Sequence, residues 1–142
     1  MTIEKAITHI NENWTDIYHH LHYVHQENIS HQAIRILQRI EKKSETKIGD
    51  LAAYLQVSHN TASEHIKRLI AKELVSKQRS PKDERQVLVV LTEKGTNILH
   101  RHTRLDTEKL KKLLESMEVS EVKAIEKAFS LLSEEAKNVF NS

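Results

Sequence analysis

The stretch from residue 48 to residue 92 changes its apolar periodicity twice, and this constrains the fold more than any other feature of the chain. Its first half has apolar residues at helical spacing, interrupted near Val57 and Ser58. This predicts two short helices joined by a tight turn, with Ser58 as the N-cap of the second. Its second half contains two segments rich in Val and Leu, residues 74–79 and 86–92, on either side of Ser-Pro-Lys-Asp-Glu. The stretch therefore predicts a helix-turn-helix followed by a β-hairpin with an exposed tip.

The second of these short helices, predicted to run to about Lys72, has two different faces. Its apolar residues share one side and are expected to face the core: Ala62, Ile66, Leu69 and Ile70. Small and polar residues occupy the opposite side, where they are free to contact a ligand: His59, Asn60, Ser63, Glu64 and Lys67.

The N-terminal region predicts two further helices. In the first, the apolar residues are spaced alternately by four and by three: Ile3, Ile7, Ile10, Trp14, Ile17, Leu21 and Val24. This narrow seam suits either an ordinary core helix or a contact with another chain, and the spacing leaves both open. Ser30 is the predicted N-cap of the second helix, whose inward residues are Ile34, Leu37 and Ile40.

The C-terminal region predicts a long helix that begins after Thr92 and a last helix that begins near Ser120. The apolar side of the last helix comprises Val122, Ile125, Phe129, Leu132 and Phe140. Both helices are too long and too one-sided to be covered by the small central unit. With 38% hydrophobic residues, two Phe and one Trp, the chain has little to fill a large core, so a second copy would bury more surface.

The fold expected from these elements is mainly α with a small β-hairpin (α+β). It is a winged helix-turn-helix over residues 30–92, flanked by dimerisation helices over 1–28 and 93–142, within a single domain over 1–142.

Composition excludes several classes of function. The chain has no cysteine, which excludes disulfides, thiol redox sensing and thiolate metal sites. It has no Gly-rich phosphate loop and no carboxylate pair in a pocket-like context, so we expect no enzyme. The apolar runs are too short to cross a membrane, and the N-terminus lacks a basic segment followed by an apolar one. We therefore expect a cytoplasmic (cytosolic) protein with no membrane partner and no required cofactor.

The net charge of +2 is distributed unevenly. Residues 1–34 carry one Lys and four acids, whereas residues 65–85 carry seven Lys or Arg and three acids. The basic excess coincides with the predicted helix-turn-helix and hairpin. This pattern is a first indication of a nucleic-acid face in the middle of the chain, and together with the helix-turn-helix and the wing it makes double-stranded DNA the expected partner.

Two stretches resemble the MarR (multiple antibiotic resistance regulator) family: IGDLAAYLQVSHNTASEHIKRLIAKELV and SPKDERQVLVVLTEKG. The second is the more specific, because Asp83 and Arg85 at the wing are followed by an apolar strand and Leu-Thr-x-x-Gly. The resemblance covers nearly the whole chain. It implies a homodimeric bacterial repressor that binds a near-palindromic operator under the control of a small ligand or metal.

The sequence departs from the family pattern at Gln56 and Glu73, where relatives often have Gly. A left-handed backbone there would cost each residue about 1–2 kcal/mol.

The predicted DNA-binding residues lie on the second short helix and at the wing: Ser58, His59, Asn60, Thr61, Ser63, Lys67, Arg68, Lys82 and Arg85. Asn60 suits adenine, and His59 suits guanine or a phosphate, because a helix in the major groove presents its N-terminal side chains to base edges. Lys67 is expected on a phosphate. Lys82 and Arg85 are expected in or across a minor groove. Asp83 is predicted to orient an arginine, either Arg85 or Arg68.

Five of the ten histidines lie between residues 18 and 31. A zinc site could draw on Asp16, His19, His20, His22 and His25, completed by Glu27 or His31, or by His100 or His102. One ion cannot readily use His19, His22 and His25 together, because residues six apart on a helix diverge by about 120°. A regulator that responds to zinc is therefore kept as an alternative.

Two other interpretations of the same region stay open. Crowded imidazoles would repel one another on protonation, which makes a pH-sensitive dimer an alternative. A small aromatic effector could bind in a crevice lined by Trp14, Tyr18 and Tyr23. A winged-helix protein-interaction module that does not bind DNA is the remaining alternative.

Overall fold

The computed structural model describes residues 1–24, 28–43 and 45–140. In chain order its elements are α1 (Ile3–Leu21), α2 (His31–Lys42), α3 (Ile48–Leu55), α4 (His59–Ala71), β1 (Val75–Arg79), β2 (Val87–Leu91), α5 (Glu93–Thr103), α6 (Thr107–Glu115) and α7 (Val119–Val139). The predicted fold class, mainly α with one small hairpin, is confirmed. None of the described helices is both long enough and apolar enough to span a membrane.

The chain divides into two compact units. Residues 1–21 and 105–142 form the flanking unit, which contains α1, α6 and α7, and residues 22–104 form the winged-helix unit, which contains α2 to α5 and the hairpin. Helix α5, which the sequence analysis placed with the flanking helices, lies in the winged-helix unit and packs on α2 and β2.

The hydrophobic core lies in the winged-helix unit. Helices α2 to α5 and both strands contribute to it, and its most deeply buried large side chains are Ile36, Leu37, Leu51, Ile66, Leu99, Val75 and Val89. Each such side chain stabilises the fold by about 1.5–3 kcal/mol relative to an exposed one. The periodicity correctly placed Leu37, Ile40 and Ile66 in the core, but Ile70 is 36% exposed. It lies in the last turn of α4, at the edge of the packed face.

Three predicted N-caps are confirmed. The hydroxyl oxygens of Ser30, Ser58 and Thr92 accept hydrogen bonds from the backbone N–H groups of Ala33 (3.1 Å), Thr61 (3.1 Å) and Gly95 (2.9 Å), respectively. Each bond satisfies one of the four N–H groups that a helix start leaves without an intrahelical partner. The starts of α2, α4 and α5 are therefore encoded locally.

The hairpin is antiparallel, with Val75 opposite Leu91 and Arg79 opposite Val87. A third segment joins it at Thr46, which pairs with Val89 and accepts a 2.7 Å hydrogen bond from its N–H. Thr46 is buried. The loop between α2 and α3 therefore holds β2 from the side that β1 leaves open.

Gln56 and Glu73 have left-handed backbones, with φ of 57° and 64°. Gln56 ends α3, and Glu73 follows the C-cap of α4. Both positions therefore keep the left-handed backbone although neither residue is glycine. Their conformation is the one that glycine adopts at lower cost.

The prediction of one long helix after Thr92 is wrong. Two helices follow instead: α5 ends at Thr103 and α6 begins at Thr107. Arg104 is extended, with φ −112° and ψ 161°. The carboxylate of Asp106 then accepts hydrogen bonds from the N–H groups of Glu108 (3.0 Å) and Lys109 (3.4 Å), which starts a new helix. The sequence signal for the break was Asp106 itself, a favourable N-cap residue that the apolar pattern obscured.

The flanking unit differs from the winged-helix unit in burial. Helices α1, α6 and α7 contain no buried residue. The seam of α1 is exposed by 74% at Ile3, 53% at Ile10 and 50% at Trp14. On α7, Phe129 and Leu132 are 46% and 57% exposed. Helix α1 ends at Leu21, so Val24, which the spacing included in the seam, lies beyond it.

Candidate nucleic-acid interface

The N-terminus of α4 presents exposed polar side chains. His59 and Asn60 occupy its first two positions, and both are exposed. Ser58 and Thr61 are engaged with each other: Ser58 Oγ accepts from Thr61 N–H and donates to Thr61 Oγ1 at 3.0 Å. His59 and Asn60 are therefore the side chains best able to reach base edges, while Ser58 and Thr61 fix the start of the helix.

Further along α4 the predicted residues differ in accessibility. Ser63 is half-buried, whereas Lys67 and Arg68 are exposed. Lys67 Nζ lies 3.4 Å from Glu64 Oε1, and both side chains are more than half exposed. An exposed pair of this kind is worth about 0–1 kcal/mol. A phosphate could therefore replace Glu64 as the partner of Lys67 at little cost.

The wing tip, residues 80–86, is ordered by its own backbone. Ser80 N–H donates to the Gln86 carbonyl at 2.9 Å, and Gln86 N–H donates to the Asp83 carbonyl at 2.9 Å. Ser80 is buried, and its hydroxyl oxygen accepts from the N–H groups of Lys82 (3.2 Å) and Asp83 (3.3 Å). The cations at the tip are therefore carried by a defined loop.

Asp83 is bound by Arg85, which settles which of the two candidate arginines it orients. Its carboxylate accepts from Arg85 Nε at 3.1 Å and from Arg85 N–H at 3.0 Å. The side-chain hydrogen bond and then the backbone one hold the pKa of Asp83 below its ordinary value. The Arg85 side chain is 91% exposed, so its guanidinium group is fixed at one edge and exposed to solvent at the others.

Two further cations at or beside the wing tip have partners. Lys82 Nζ lies 3.6 Å from Glu45 Oε1 in the loop before α3. Arg79 Nη1 donates to the Glu84 carbonyl at 2.8 Å, across the wing tip. Sequence reasoning did not single out Arg79. The signal available was its position at the end of β1, two residues before the only proline.

The described histidines do not converge on one point. The rings of His19 and His20 pack edge to face, with centroids 4.9 Å apart. Within residues 1–24, 28–43 and 45–140, no group of three or more His, Asp or Glu side chains is placed to hold a metal ion. His25 and Glu27, which the predicted zinc site used, lie outside the described residues.

The histidines of α5 have separate environments. His100 Nε2 lies 2.7 Å from Glu41 Oε2 on α2. His102 Nε2 is buried without a hydrogen-bond partner in the described part of the chain.

The three aromatic residues predicted to line a ligand crevice do not all lie in one unit. Trp14 lines an apolar cavity of about 310 Å³ in the flanking unit, together with Ile10, Ile17, Phe129 and Leu132. Tyr18 belongs to the same unit and is 43% exposed. Tyr23 belongs to the winged-helix unit, where the Arg101 guanidinium lies 5.7 Å from its ring centroid.

Comparison with known proteins agrees with this geometry. Residues 20–102 match the family described as transcriptional regulator SarA/Rot. The HTH-type transcriptional regulator YdgG of Bacillus subtilis is 27% identical over 124 residues, which cover 81% of this chain and 82% of YdgG.

Solved structures share the fold at lower identity. The MarR-like regulator tm0816 of Thermotoga maritima aligns over 96% of this chain and 98% of its own, with a TM-score of 0.59 and 19% identity. S. aureus MepR, solved with ethidium bromide, aligns over 95% and 96%, with a TM-score of 0.57 and 17% identity.

The family and these relatives are transcriptional regulators and not enzymes. The recognition helix α4 and the hairpin wing have the arrangement expected of a DNA-binding protein. This chain therefore belongs to the SarA/Rot family of transcriptional regulators and has a MarR-type winged-helix fold.

Proposed function

We propose that this protein is a homodimeric repressor that binds a near-palindromic operator and releases it in response to a small ligand. The observation that carries the proposal is the pair of exposed apolar faces on α1 and α7, combined with an exposed polar start of α4. The apolar faces require a partner that covers them, and the polar start of α4 suits contact with DNA.

A second copy of the chain is the simplest cover for the apolar faces of α1 and α7. Trp14, Phe129 and Leu132 are each about half exposed or more, which is unusual for large apolar side chains in a monomer. A two-fold dimer uses the same patch on both chains, so one seam meets its own copy. Burial of these side chains would supply the stability that the flanking unit lacks on its own.

A two-fold dimer explains why the operator should be near-palindromic. Two copies of α4 related by a two-fold axis would read two inverted half-sites, with centres about 34–36 Å apart. His59 and Asn60 would contact base edges, and Lys67, Lys82 and Arg85 would contact phosphates or a minor groove. A dimer bound across a promoter would exclude RNA polymerase, which is the basis for a repressor.

Ligand control would act through the flanking unit. The cavity beside Trp14 is lined mainly by apolar side chains of α1 and α7, so a compact aromatic molecule fits its chemistry. Because the same helices carry the proposed dimer contact, a ligand there would alter the spacing of the two recognition helices. Trp14 is the only tryptophan, so its fluorescence reports directly on ligand titration, with benzoate as a first probe.

The test is fluorescence anisotropy with the DNA upstream of the protein's own gene, first with a chelator and then with stepped zinc. Tight binding that weakens by about 10³–10⁵ between about 50 and 200 mM salt is expected if 6–10 phosphates are contacted. Failure to bind any upstream duplex at low salt would refute the proposal in favour of a protein-interaction module. Zinc-dependent binding or release at micromolar metal would replace the organic ligand with zinc.

A further inference from the structure

A groove between α2 and α3 carries arginines that sequence reasoning passed over. The guanidinium carbon of Arg39 lies 4.4 Å from the centroid of the Tyr54 ring, and that of Arg35 lies 5.4 Å from it. Tyr54 is 37% exposed. Within the described residues neither arginine has a carboxylate partner, and Arg35 only donates a 3.3 Å hydrogen bond to Gln32 Oε1.

The groove has a volume of about 410 Å³ and is also lined by Lys43, Thr46, Glu45 and Asp50. Its two carboxylates are already engaged. Glu45 pairs with Lys82, and Asp50 accepts a 3.0 Å hydrogen bond from Lys47 N–H. Arg39 and Lys43 line the groove, and Arg35 lies beside it at the Tyr54 ring. None of these three cations has a carboxylate partner in the described chain, so this surface favours an anion.

The stacking on Tyr54 prepares the two arginines for such an anion. A guanidinium group over an aromatic ring is held in place while its N–H donors stay available at the edge. Less side-chain entropy is then lost when those donors bind a phosphate, for which arginine has bidentate geometry. One arginine on the Tyr54 ring would be enough to hold α3 against α2. Here both Arg35 and Arg39, which are four residues apart on α2, place their guanidinium groups at the ring.

The ion pair between Glu45 and Lys82 shows where the groove lies relative to the wing. Glu45 lines the groove, and Lys82 belongs to the wing tip. The groove therefore begins where the basic tip of the wing ends. A duplex that the wing contacts and that continues past it would bring further phosphates to this side of the winged-helix unit.

We propose that Arg35, Arg39 and Lys43 bind backbone phosphates of the DNA that flanks the operator. This inference rests on the proposed operator binding and extends it beyond the recognition helix and wing. An acidic protein partner is disfavoured, because among its described residues the groove offers no large apolar anchor besides Tyr54, and stable protein interfaces depend on such anchors. Contacts with phosphates outside the operator would add affinity without adding sequence information.

The test compares two duplexes and two proteins. The short duplex ends at the operator edges that wild-type footprinting defines, and the long one adds about one helical turn, roughly 10 bp, at each end. The wild type should bind the long duplex more tightly. The double variant Arg35→Gln/Arg39→Gln should bind the short duplex as tightly as the wild type does, but it should bind the long duplex about tenfold more weakly than the wild type. The slope of the logarithm of its affinity for the long duplex against the logarithm of salt concentration should fall by about 0.9 for each phosphate that the variant no longer neutralises.

The matched control is Lys123→Gln/Lys127→Gln on α7, which removes the same charge from the flanking unit and should bind both duplexes as the wild type does. Lys43→Gln changes an exposed side chain, so it tests the groove even if the arginine variant fails to fold. If the arginine double variant binds both duplexes equally weakly, or binds both as the wild type does, the inference is overturned. Unchanged binding to both duplexes would favour a protein partner for the groove. A wild type that binds neither duplex would refute operator binding itself.

Discussion

The hydroxyl group of Thr92 donates a 2.6 Å hydrogen bond to the carbonyl oxygen of Glu73, which precedes β1 at the same open end of the hairpin. The same hydroxyl oxygen accepts a 2.9 Å hydrogen bond from Gly95 N–H at the start of α5. One side chain therefore joins the left-handed turn after the recognition helix to the helix that follows the wing. This clamp fixes the base of the wing relative to α4.

Replacement of Thr92 by Val should remove both hydrogen bonds while keeping the shape of the side chain. We expect the free energy of unfolding to fall by about 1–2 kcal/mol, because the N-cap is removed and the Glu73 carbonyl is left without this donor. Thr92→Ser keeps the hydroxyl group and should be destabilised much less. Urea denaturation followed by circular dichroism measures both, and equal destabilisation of the two variants would argue against the clamp.

Glu73→Gly should stabilise the protein. The backbone φ of 64° costs a non-glycine residue about 1–2 kcal/mol, which exceeds the extra chain entropy of glycine of about 0.5–1 kcal/mol. Lys72→Gly is the matched control, because Lys72 has φ −84° and gains nothing from glycine. Thermal unfolding should show a higher midpoint for the first variant and a lower one for the second. The opposite order would contradict the strain assignment.

The two glycines of the chain should respond oppositely to alanine. A Cβ on Gly95 would lie 1.9 Å from the Leu74 carbonyl oxygen, so Gly95→Ala must displace β1 or α5 and should cost several kcal/mol, at the upper end of point mutations. A Cβ on Gly49 would meet nothing within 4 Å, and Gly49→Ala should stabilise α3 by up to about 1 kcal/mol. The denaturant midpoints of the two variants provide the measurement. An unchanged midpoint for Gly95→Ala would show that the close approach of Gly95 to the Leu74 carbonyl oxygen is not required.

Arg85→Ala should weaken operator binding and lower the salt slope by about 0.9 for each phosphate that Arg85 neutralises in the wild type. Arg85→Lys keeps the charge but not the geometry that Asp83 holds, so it should recover only part of the affinity. Anisotropy titrations at several salt concentrations provide the measurement. Unchanged binding by Arg85→Ala would exclude the wing tip from the interface.

The lowered pKa of Asp83 predicts that its ion pair with Arg85 persists throughout the neutral pH range. Because the folded pKa of Asp83 is lowered by Arg85, the pair is present above the ordinary aspartate pKa and breaks only as the pH falls through the lowered value. The effect of Asp83→Asn on DNA affinity should therefore stay constant from about pH 8 to about pH 5. A gradual decrease of that difference within the range would contradict the ion pair.

Trp14→Glu and Phe129→Glu should convert the proposed dimer into monomers, since each places a charge in an apolar contact. Thr8→Glu is the control, because Thr8 lies on the opposite face of α1 from the seam by helical geometry. Sedimentation velocity should show half the mass for the first two and an unchanged mass for the third. Dimers in all three variants would move the interface away from these helices.

The elements that the sequence determined are those encoded by local chemistry. The N-caps Ser30, Ser58 and Thr92, the helical spacing of α2 to α4 and the alternation of turn and strand residues in the wing act over a few residues, and the structure confirms them. The sequence also identified Gln56 and Glu73 as the two positions where a left-handed backbone would be strained, but only the structure shows that both are left-handed.

Tertiary structure decided the contacts between groups far apart in the chain, and the apolar pattern also missed two local features, the break before α6 and the Asp83–Arg85 pair, because it records neither caps nor hydrogen bonds within a loop. The separation of α5 from α6 follows from an extended Arg104 and the Asp106 cap, which the apolar pattern did not outweigh. Asp83 pairs with Arg85 and not with Arg68 because the wing tip brings its own backbone and guanidinium groups within hydrogen-bonding distance. The approach of Arg35 and Arg39 to Tyr54 joins side chains of α2 to a side chain of α3, and no periodicity along one helix records a contact between two.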